Sequence, residues 1–287
     1  MLAIGNFDGV HIGHQALISA ATETALPEDD DVAVLVLDPH PLEVLDAARA
    51  PYLLTPLDLR GLLLEDLGVT SLLRLPFDPE VAAWPAETFV DVLVEHLKLR
   101  HVVVGDNFRF GQHAAGDAQT LRRLLADAAV PTTIVPLVLM RNEPVSASRV
   151  RRAVADGRLD DARELLGRPF TVRGEVIHGD HLGRQLGFPT ANVRLGQRLC
   201  LPPFGVYGGQ VILPDGRVQA AAISFGTRPA VKGRDVRLEA HLLGFEGDLY
   251  GAELEVRFDR FLRGEENFPS LEALKRQIAA DVAALQA

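Results

Sequence analysis

The stretch Ile4-Gly5-Asn6-Phe7-Asp8-Gly9-Val10-His11-Ile12-Gly13-His14 stands near the start of the chain, between a short apolar run and a longer stretch of helical composition. Its glycines at positions 5, 9 and 13 permit tight turns and let a ligand approach the backbone closely. The stretch is therefore predicted to connect a strand, Leu2–Gly5, to a helix, Gly13–Thr24.

The two histidines of this stretch are candidates for chemistry. His11 and His14 are three residues apart, so at a helix start they project toward the same side. The first N–H groups of a helix attract phosphate, and two imidazoles beside them could donate hydrogen bonds to phosphate oxygens during phosphoryl or nucleotidyl transfer. The alternative is a strand-turn-helix junction at which the histidines only cap the helix. The glycines and the His-x-Gly-His spacing together favour the phosphate site.

The rest of the first half alternates short apolar runs with helical patterns. This alternation predicts an α/β domain in which helices cover both faces of a parallel sheet, and ligands of such sheets bind beyond the C-terminal ends of the strands. The further predicted strands are Val32–Leu37, Ser71–Pro76, His101–Gly105 and Thr133–Val138, and the further helices are Glu87–Leu97 and Asp117–Ala128.

After about residue 167, strand patterns follow one another without helices between them. Consecutive strands predict an antiparallel β-barrel or sandwich. A helix over Arg158–Leu166 is predicted to join the halves, and a terminal helix is predicted with Ser270 as its N-cap and an apolar face. The predicted strands are Thr171–Ile177, Val206–Leu213, Val218–Phe225, Val236–Leu243 and Leu254–Phe261, and the apolar face comprises Leu271, Leu274, Ile278, Val282 and Leu285.

Composition limits the class of protein. The chain has 287 residues, of which 47% are hydrophobic and 24% charged, a balance typical of a globular protein of one or two domains. It has a single cysteine and no apolar run long enough for a membrane span, and we expect a cytoplasmic protein. Residues 1–167 carry 14 Lys and Arg against 25 Asp and Glu, and residues 168–287 carry 15 against 14, so neither half predicts a nucleic-acid partner. No lysine follows a glycine, which excludes a Walker A loop.

The motifs together resemble those of a known family. Gly-x-Phe-Asp-Gly-x-His-x-Gly-His is similar to the signature of nucleotidylyltransferases with a His-x-Gly-His site. Three further motifs in order, and a Pro-Thr-Ala-Asn string at 189–192, resemble the bifunctional riboflavin kinase/FMN adenylyltransferases, the prokaryotic FAD synthetases. The three motifs are Asp38-Pro39-His40-Pro41, Gly105-Asp106-Asn107-Phe108-Arg109-Phe110-Gly111 and Ser146-Ala147-Ser148-Arg149-Val150-Arg151.

The resemblance implies the fold and the domains. It implies a Rossmann-like nucleotidylyltransferase domain with a parallel sheet over residues 1–157, and a linker helix over 158–167. Residues 168–287 would form an antiparallel β-barrel of the riboflavin kinase type with a terminal helix. The implied enzyme phosphorylates riboflavin to FMN and then adenylylates FMN to FAD with release of pyrophosphate. Its substrates would be ATP and the flavins, its metal Mg²⁺, and its state monomeric or weakly homo-oligomeric.

The resemblance also implies roles in the first site. His11 and His14 would be catalytic and contact the ATP phosphates. Phe108 can either pack in the core or, as assigned here, contact the flavin, and the Asp38–Pro41 stretch can either contact ligand or form a rigid loop. The residues implied in binding ATP or its phosphates are Gly5, Phe7, Asp8, Gly9, Asn107, Ser146, Ser148 and Arg151.

The second site combines pattern and resemblance. Thr190 and Asn192, two residues apart in an extended segment, can point the same way and ligate a hard cation, although an ordinary loop would have the same residues. The pattern around Glu239 alternates as a strand and places Glu239 and His241 on one face, which could also be a solvated face. The resemblance implies Mg²⁺ ligands at Thr190 and Asn192 and a catalytic glutamate at Glu239. It further implies nucleotide contacts at Gly174 and Gly183, and flavin contacts at Arg263 and Asn267.

The chain departs from the family pattern in places. Ala147 stands where a hydroxyl is usual, and only four residues precede Gly5, so an upstream start codon is an alternative. Ser224, Ala230 and Gly244 are further departures, near the implied flavin site. Two other hypotheses therefore stay open at this point: a riboflavin kinase whose adenylyltransferase site is impaired, and a catalytically inactive flavin-binding protein.

Overall fold

A computed structural model describes residues 1–25, 31–179, 183, 186–196, 198–230 and 233–286. The chain divides into two compact units, one comprising residues 1–53 with 57–147 and the other 54–56 with 148–287. The domain limits at residues 157 and 168 stay a prediction. Within the described residues, no helix has the length and apolar character needed to cross a membrane.

The first unit is built on a five-stranded parallel sheet in the order β3-β2-β1-β4-β7. Its strands are β1 (Leu2–Ile4), β2 (Ala33–Asp38), β3 (Ser71–Pro76), β4 (Val102–Gly105) and β7 (Thr132–Val135), with short strands β5 (Arg109–Phe110), β6 (Gly116–Asp117), β8 (Leu139–Met140) and β9 (Glu143–Pro144). Its helices are α1 (Ile12–Thr24), α2 (Pro41–Leu45), α3 (Leu57–Glu65), α4 (Pro79–Ala82), α5 (Ala86–His96) and α6 (Ala118–Asp127), and α7 (Ala147–Ala155) begins at its end.

The sheet is buried on both faces, as the alternating pattern predicts. One layer of side chains, including Leu2, Val102 and Val104, packs with apolar residues of α5 and α6. The other layer, including Val34 and Val103, packs with residues of α1 and α3. The continuous apolar runs therefore form parallel strands, because each face of these strands has a helix to bury it.

The second unit is a closed antiparallel barrel in the order β10-β11-β14-β13-β12-β15. The strands are β10 (Phe170–Ile177), β11 (Ala191–Leu195), β12 (Gly205–Ile212), β13 (Val218–Ala230), β14 (Gly233–Leu242) and β15 (Glu253–Arg263). Helix α8 (Leu159–Leu166) precedes the barrel, and α9 (Leu271–Gln286) follows it. Fold class is thus confirmed, with a barrel rather than a sandwich in the second half.

The barrel interior is filled by alternate residues of each strand. Leu238, Ala240 and Leu242 of β14 are buried, whereas Glu239 and His241 between them are partly exposed on the outer face. Tyr207 is fully buried among phenylalanines, and its hydroxyl donates to the carbonyl oxygen of Pro203. Burial raises the pKa of this phenol to about 12.

The structure corrects the sequence prediction at several elements. The elements without a predicted counterpart are helices α2, α3, α4 and α7, strand β11 and the short strands β5, β6, β8 and β9. In α9, the hydroxyl of Ser270 accepts a hydrogen bond from the N–H of Ala273 at 3.2 Å, which confirms the predicted N-cap. Leu271, however, is 57% exposed and lies outside the packed face, while Asp281 is buried in that face.

Candidate active sites

A cavity of about 830 Å³ opens in the first unit beyond the C-terminal ends of the strands. The ends of β1, β2, β4 and β7 contribute Gly5, Leu37, Gly105 and Val135 to its wall. From β1 the chain adds β2 and β3 on one side of the sheet, and from β3 it crosses back to place β4 on the other side of β1. The cavity therefore lies where the strand order reverses, which is the point where parallel sheets bind ligands. Its volume is in the range of small-molecule sites.

The two predicted catalytic histidines line this cavity at the start of α1. Their rings stack, with centroids 3.6 Å apart and an interplanar angle of 12°. Nδ1 of His11 accepts a hydrogen bond from the N–H of His14 at 3.2 Å, so the neutral His11 ring carries its proton on Nε2. His11 therefore caps the helix with one nitrogen and keeps a donor on the other. The capping interpretation and the catalytic interpretation are compatible.

The loop before the histidines has an unusual backbone. Phe7, Gly9 and Val10 have φ values of 50°, 82° and 41°, and two of these three residues are not glycine. Left-handed conformations of such residues cost roughly 1–3 kcal/mol each and persist only where the surroundings hold them. The side chains of Phe7 and Val10 are buried in the core, and Nε2 of Gln15 donates to the carbonyl of Val10 at 2.9 Å.

A buried ion pair also holds this loop. Nη2 of Arg60, in α3, lies 3.5 Å from Oδ1 of Asp8, and Nη1 of Arg60 donates to the carbonyl of Asn6 at 2.8 Å. Phe7 and Asp8 were predicted to contact ATP, but the structure places both side chains in the interior rather than on the cavity wall. Sequence reasoning missed Arg60. The available signal was a lone basic residue in the leucine-rich stretch Leu57–Glu65.

Other predicted residues reach the same cavity from distant parts of the chain. Asn107, Phe108 and Ser146 line it, and the Phe108 ring stacks on Phe110 at a centroid distance of 5.5 Å. Ser148 and Arg151 are one turn apart on α7, in the part of that helix that belongs to the second unit. The cavity thus gathers residues more than 100 positions apart, from Gly5 to Ser146, while the roles of Ser148 and Arg151 stay a prediction.

The Asp38–Pro41 stretch has structural contacts. Asp38 forms an ion pair with Arg74 of β3. His40 caps α2, its Nδ1 accepting from the N–H of Leu42 at 3.2 Å. Of this stretch, Pro41 lines the cavity. These contacts favour the rigid-loop interpretation over direct ligand contact by Asp38 or His40.

The second unit brings three predicted residues together on the outer face of the barrel. Asn192 of β11 pairs directly with Glu239 of β14, and residues opposite each other in an antiparallel pair share a face. The hydroxyl of Thr190 donates to Oε2 of Glu239 at 3.3 Å. Ser224 of β13 is the register partner of Glu239 on its other side, so this departure from the family pattern lies beside the catalytic candidate.

The backbone at Gly179 and Gly183 lies close to the side chains of Asn192 and Thr190 and limits the positions that they can take. A Cβ at Gly179 would lie 2.5 Å from Cγ and 2.6 Å from Oδ1 of Asn192. A Cβ at Gly183 would lie 3.3 Å from Oγ1 of Thr190, and the carbonyl of Gly183 accepts from the N–H of Phe188 at 2.8 Å. Gly179 and Gly183 thus lie beside the predicted metal ligands Asn192 and Thr190. Residues 180–182 between them lie outside the described residues.

His241 supports the segment that carries Thr190. Its Nδ1 lies 2.8 Å from the carbonyl oxygen of Pro189, which can only accept, so Nδ1 carries a proton and donates. The Phe188 ring meets the His241 ring edge-on at 5.4 Å. Glu239 and His241 share a face, as predicted, and His241 holds the chain just before Thr190.

The structure places the remaining predicted residues elsewhere in the second unit. Gly174 is buried in β10, where a Cβ would lie 2.9 Å from Cγ1 of Val193. Nε and Nη2 of Arg263 donate to the buried carboxylate of Asp281 at 3.1 and 2.8 Å, and its guanidinium lies 5.5 Å from the centroid of the Phe268 ring. Asn267 is exposed in the segment between β15 and α9.

Comparison with known proteins identifies the family. Residues 1–149 match the family model of FAD synthetase, and residues 166–287 match that of riboflavin kinase. The bifunctional riboflavin kinase/FMN adenylyltransferase of Escherichia coli strain K12 is 40% identical over 98% of this chain and 90% of the relative. The Pseudomonas fluorescens protein of the same name is 41% identical over 99% and 91%, and the Bacillus subtilis protein 33% over 98% and 90%.

A solved structure agrees over the whole chain. A crystal structure described as a macrolide-efflux protein from Streptococcus pneumoniae superposes with a TM-score of 0.86 at 29% identity, covering 99% of this chain and 93% of that one. The sheet unit and the barrel unit, with their two family models, define a two-domain enzyme of flavin cofactor synthesis. The chain belongs to the bifunctional riboflavin kinase/FMN adenylyltransferase family. Both models match, which supports the prediction of two activities rather than the kinase-only or inactive alternative.

Proposed function

We propose that the chain phosphorylates riboflavin to FMN at the outer face of its barrel, and adenylylates FMN to FAD at the cavity of its parallel sheet. One observation carries the proposal: each site gathers, from distant parts of the sequence, the side chains that its reaction needs. His11, Asn107 and Ser146 line one cavity. Thr190 and Glu239 are hydrogen-bonded on the barrel, where Asn192 is the register partner of Glu239.

Adenylyl transfer requires charge stabilisation more than proton transfer. An oxygen of the FMN phosphate attacks the α-phosphorus of ATP, the bond from that phosphorus to the β-bridging oxygen breaks, and pyrophosphate leaves. His11, Gly13 and His14, at the start of α1, line the cavity that would hold these phosphates. Donors fixed in this way stabilise the charge that builds on the phosphate oxygens.

Among the remaining assignments in the first site, Asn107, Phe108 and Ser146 lie on the cavity wall, whereas Ser148 and Arg151 are not among its described lining residues. Phe108 lies on an aromatic part of the wall that also includes Phe77, Trp84 and Phe89, which suits the flat apolar rings of a flavin. Asn107 and Ser146 offer polar groups at the phosphate side. Ser148 and Arg151 would hold the triphosphate, a task to which the planar charge of arginine is suited without a lysine.

Phosphorylation of riboflavin requires a proton acceptor. The terminal hydroxyl of the ribityl chain attacks the γ-phosphorus of ATP, the bond to the β-bridging oxygen breaks, and ADP leaves. Glu239 is positioned to accept the hydroxyl proton, since its carboxylate is partly exposed on the face that carries Thr190 and Asn192. The Thr190 hydroxyl donates to this carboxylate and holds its orientation.

The oxygen donors of the second site fit Mg²⁺. The Thr190 hydroxyl and the Asn192 carboxamide oxygen are hard ligands of the kind Mg²⁺ takes together with substrate phosphates. Among the residues that the structure describes, no three His, Cys, Asp or Glu side chains form a metal-binding group, so such an ion would depend on these neutral oxygens and on ATP. When bound, Mg²⁺ neutralises charge on the phosphates.

Several finer assignments stay predictions. These are nucleotide contacts at Gly5, Phe7, Asp8, Gly9, Gly174 and Gly183, flavin contacts at Arg263 and Asn267, a cytoplasmic location, and a monomeric or weakly oligomeric state. The contacts of Asp8 with Arg60 and of Arg263 with Asp281 support structural roles for these two residues.

The test is product analysis with riboflavin, ATP and Mg²⁺, using two variants as controls for each other. His14→Ala should make FMN at the wild-type rate and form no FAD. Glu239→Gln should form FMN at least about 100-fold more slowly, yet convert supplied FMN to FAD normally. A wild-type protein that produces neither FMN nor FAD, or variants that lose both activities together, would contradict the assignment.

A further inference from the structure

We propose that Arg60 is a positioning residue for adenylyl transfer, which acts on the loop Gly5–His11 rather than on a substrate. The inference rests on the proposed function of the first site. Arg60 lies outside the set of described residues that line the cavity, whereas Gly5, Asn6 and His11 belong to that set. Arg60 is thus placed to act on the reaction through the loop that carries these lining residues.

The contacts of Arg60 are made in the interior. Arg60 is 6% exposed and Asp8 is 2% exposed. One guanidinium nitrogen lies 3.5 Å from the Asp8 carboxylate, and the other donates to the carbonyl of Asn6 at 2.8 Å. A guanidinium can serve these two acceptors together because its nitrogens are fixed in one plane, whereas a lysine presents a single nitrogen.

The loop needs such support because its backbone is strained. Left-handed conformations at Phe7, Gly9 and Val10 fall within four residues. Gln15 holds the later part through the carbonyl of Val10. Arg60 holds the earlier part, since the acceptors Asn6 and Asp8 lie on either side of Phe7. Strained conformations of this kind persist only where the surroundings determine them, and they concentrate at functional sites.

The loop conformation sets the position of both histidines. The Phe7 ring packs at 5.0 Å from the His14 ring, and the His14 ring stacks on His11. His11 follows Asp8 by three residues and begins α1 as its N-cap. Release of the Asn6–Asp8 segment would therefore shift the two rings relative to the cavity. A shift of about 1 Å in a group that stabilises a transition state can lower the rate by about 100-fold.

The experiment compares four variants of the full chain, each assayed for FAD formation from FMN and ATP and for FMN formation from riboflavin. Arg60→Met removes the contacts with Asp8 and Asn6, Arg60→Lys keeps one nitrogen, and Asp8→Asn with Arg60→Met removes the charges of both Asp8 and Arg60. Arg123→Met, an exposed arginine on α6 of the same unit, is the matched control. Phosphorylation of riboflavin, at a site in the other unit, reports on the integrity of each preparation.

We expect Arg60→Met to lower kcat for FAD formation by about 10- to 100-fold, with the KM for FMN within about threefold and FMN formation unchanged. Arg60→Lys should fall between Arg60→Met and wild type. The double variant should regain thermal stability relative to Arg60→Met, because no buried charge is left without its partner, but it should not regain kcat. Arg123→Met should match wild type in both reactions.

Three results would overturn the inference. The first is an Arg60→Met protein with wild-type kcat. The second is a double variant that regains kcat together with stability, since this would make the ion pair purely structural. The third, if Arg60→Met does not fold, is wild-type kcat in both Arg60→Lys and the double variant. A wild-type chain that forms FMN but no FAD would instead refute the proposed function of the site.

Discussion

The substitution Gly179→Ala tests the proposed Mg²⁺ site of the barrel by displacing one side chain, that of Asn192. The added Cβ would lie 2.5 Å from Cγ and 2.6 Å from Oδ1 of Asn192, whereas ordinary van der Waals contacts of a Cβ begin near 3.4 Å. Asn192 or the segment at Gly179 must therefore move by roughly 1 Å, a displacement that typically costs about 100-fold in rate. Gly179 has no left-handed φ, so alanine adds the steric effect without backbone strain.

The assay measures FMN formation from riboflavin as a function of Mg²⁺, and FAD formation from supplied FMN in the same preparation. We expect kcat for riboflavin phosphorylation to fall by about 10- to 100-fold, or about 1.4 to 2.8 kcal/mol, and the Mg²⁺ concentration for half-maximal activity to rise. FAD formation from FMN should not change. The matched control is Gly196→Ala, where an added Cβ meets no atom within 4 Å.

The result that would refute this reasoning is Gly179→Ala with kcat and Mg²⁺ requirement both within twofold of wild type. That outcome would mean that the position of the Asn192 carboxamide is not critical for phosphorylation. An equal loss in Gly196→Ala would attribute the effect to the flexibility of the region rather than to Asn192.

Three further predictions concern other parts of the chain. His11→Asn should keep the N-cap of α1, and unfolding curves should place its stability within about 1 kcal/mol of wild type. Assays of FAD formation should show a rate lower by about 100-fold or more, because the Nε2 donor is lost. Burial, and to a lesser extent the positive Met1 amino group, lower the pKa of His101, so its contribution to stability should be complete above pH 6.5 and decline as the pH falls from 6.5 toward the lower folded-state pKa. His101→Gln should therefore flatten the dependence of the melting temperature on pH between pH 7.5 and 5.5. An unchanged slope in this variant would contradict the prediction. Asp281→Ala should destabilise the barrel unit by up to about 3 kcal/mol, because the Arg263 side chain is only 16% exposed and loses its carboxylate partner. Asp281→Asn should destabilise it less, and calorimetry compares the two variants.

The main elements of the fold could be predicted from local pattern. Continuous apolar runs with helices between them indicate buried parallel strands, and β3 at Ser71–Pro76 has the predicted bounds. Strand β11 could not be predicted, because its five residues begin in a Pro-Thr-Ala-Asn string that is also typical of a turn. Pairing with β10 on one side and β14 on the other makes it a strand, and this pairing depends on tertiary contacts.

The candidate sites could be predicted in their residue types but not in how those residues are supported. The spacing of His11 and His14 indicates a shared side, and the structure adds the stacked rings and the proton position. The ion pair of Arg60 with Asp8 joins residues 52 positions apart, and no local period signals such a contact. In α9 the apolar pattern favoured Leu271, but the packed face instead includes Asp281, which pairs with a residue of β15.

The alternation along β14 determines how this barrel can change through evolution or engineering. Leu238 and Ala240 fill the interior, while Glu239 between them serves the outer surface. Drift in the interior that conserves volume is therefore compatible with phosphorylation of riboflavin. A single inserted or deleted residue in this strand would exchange the two sides, placing a carboxylate among apolar side chains and an alkyl group at the proposed reaction site. Laboratory libraries of this barrel can accordingly be diverse at inner positions, but they should keep the length of β14 constant.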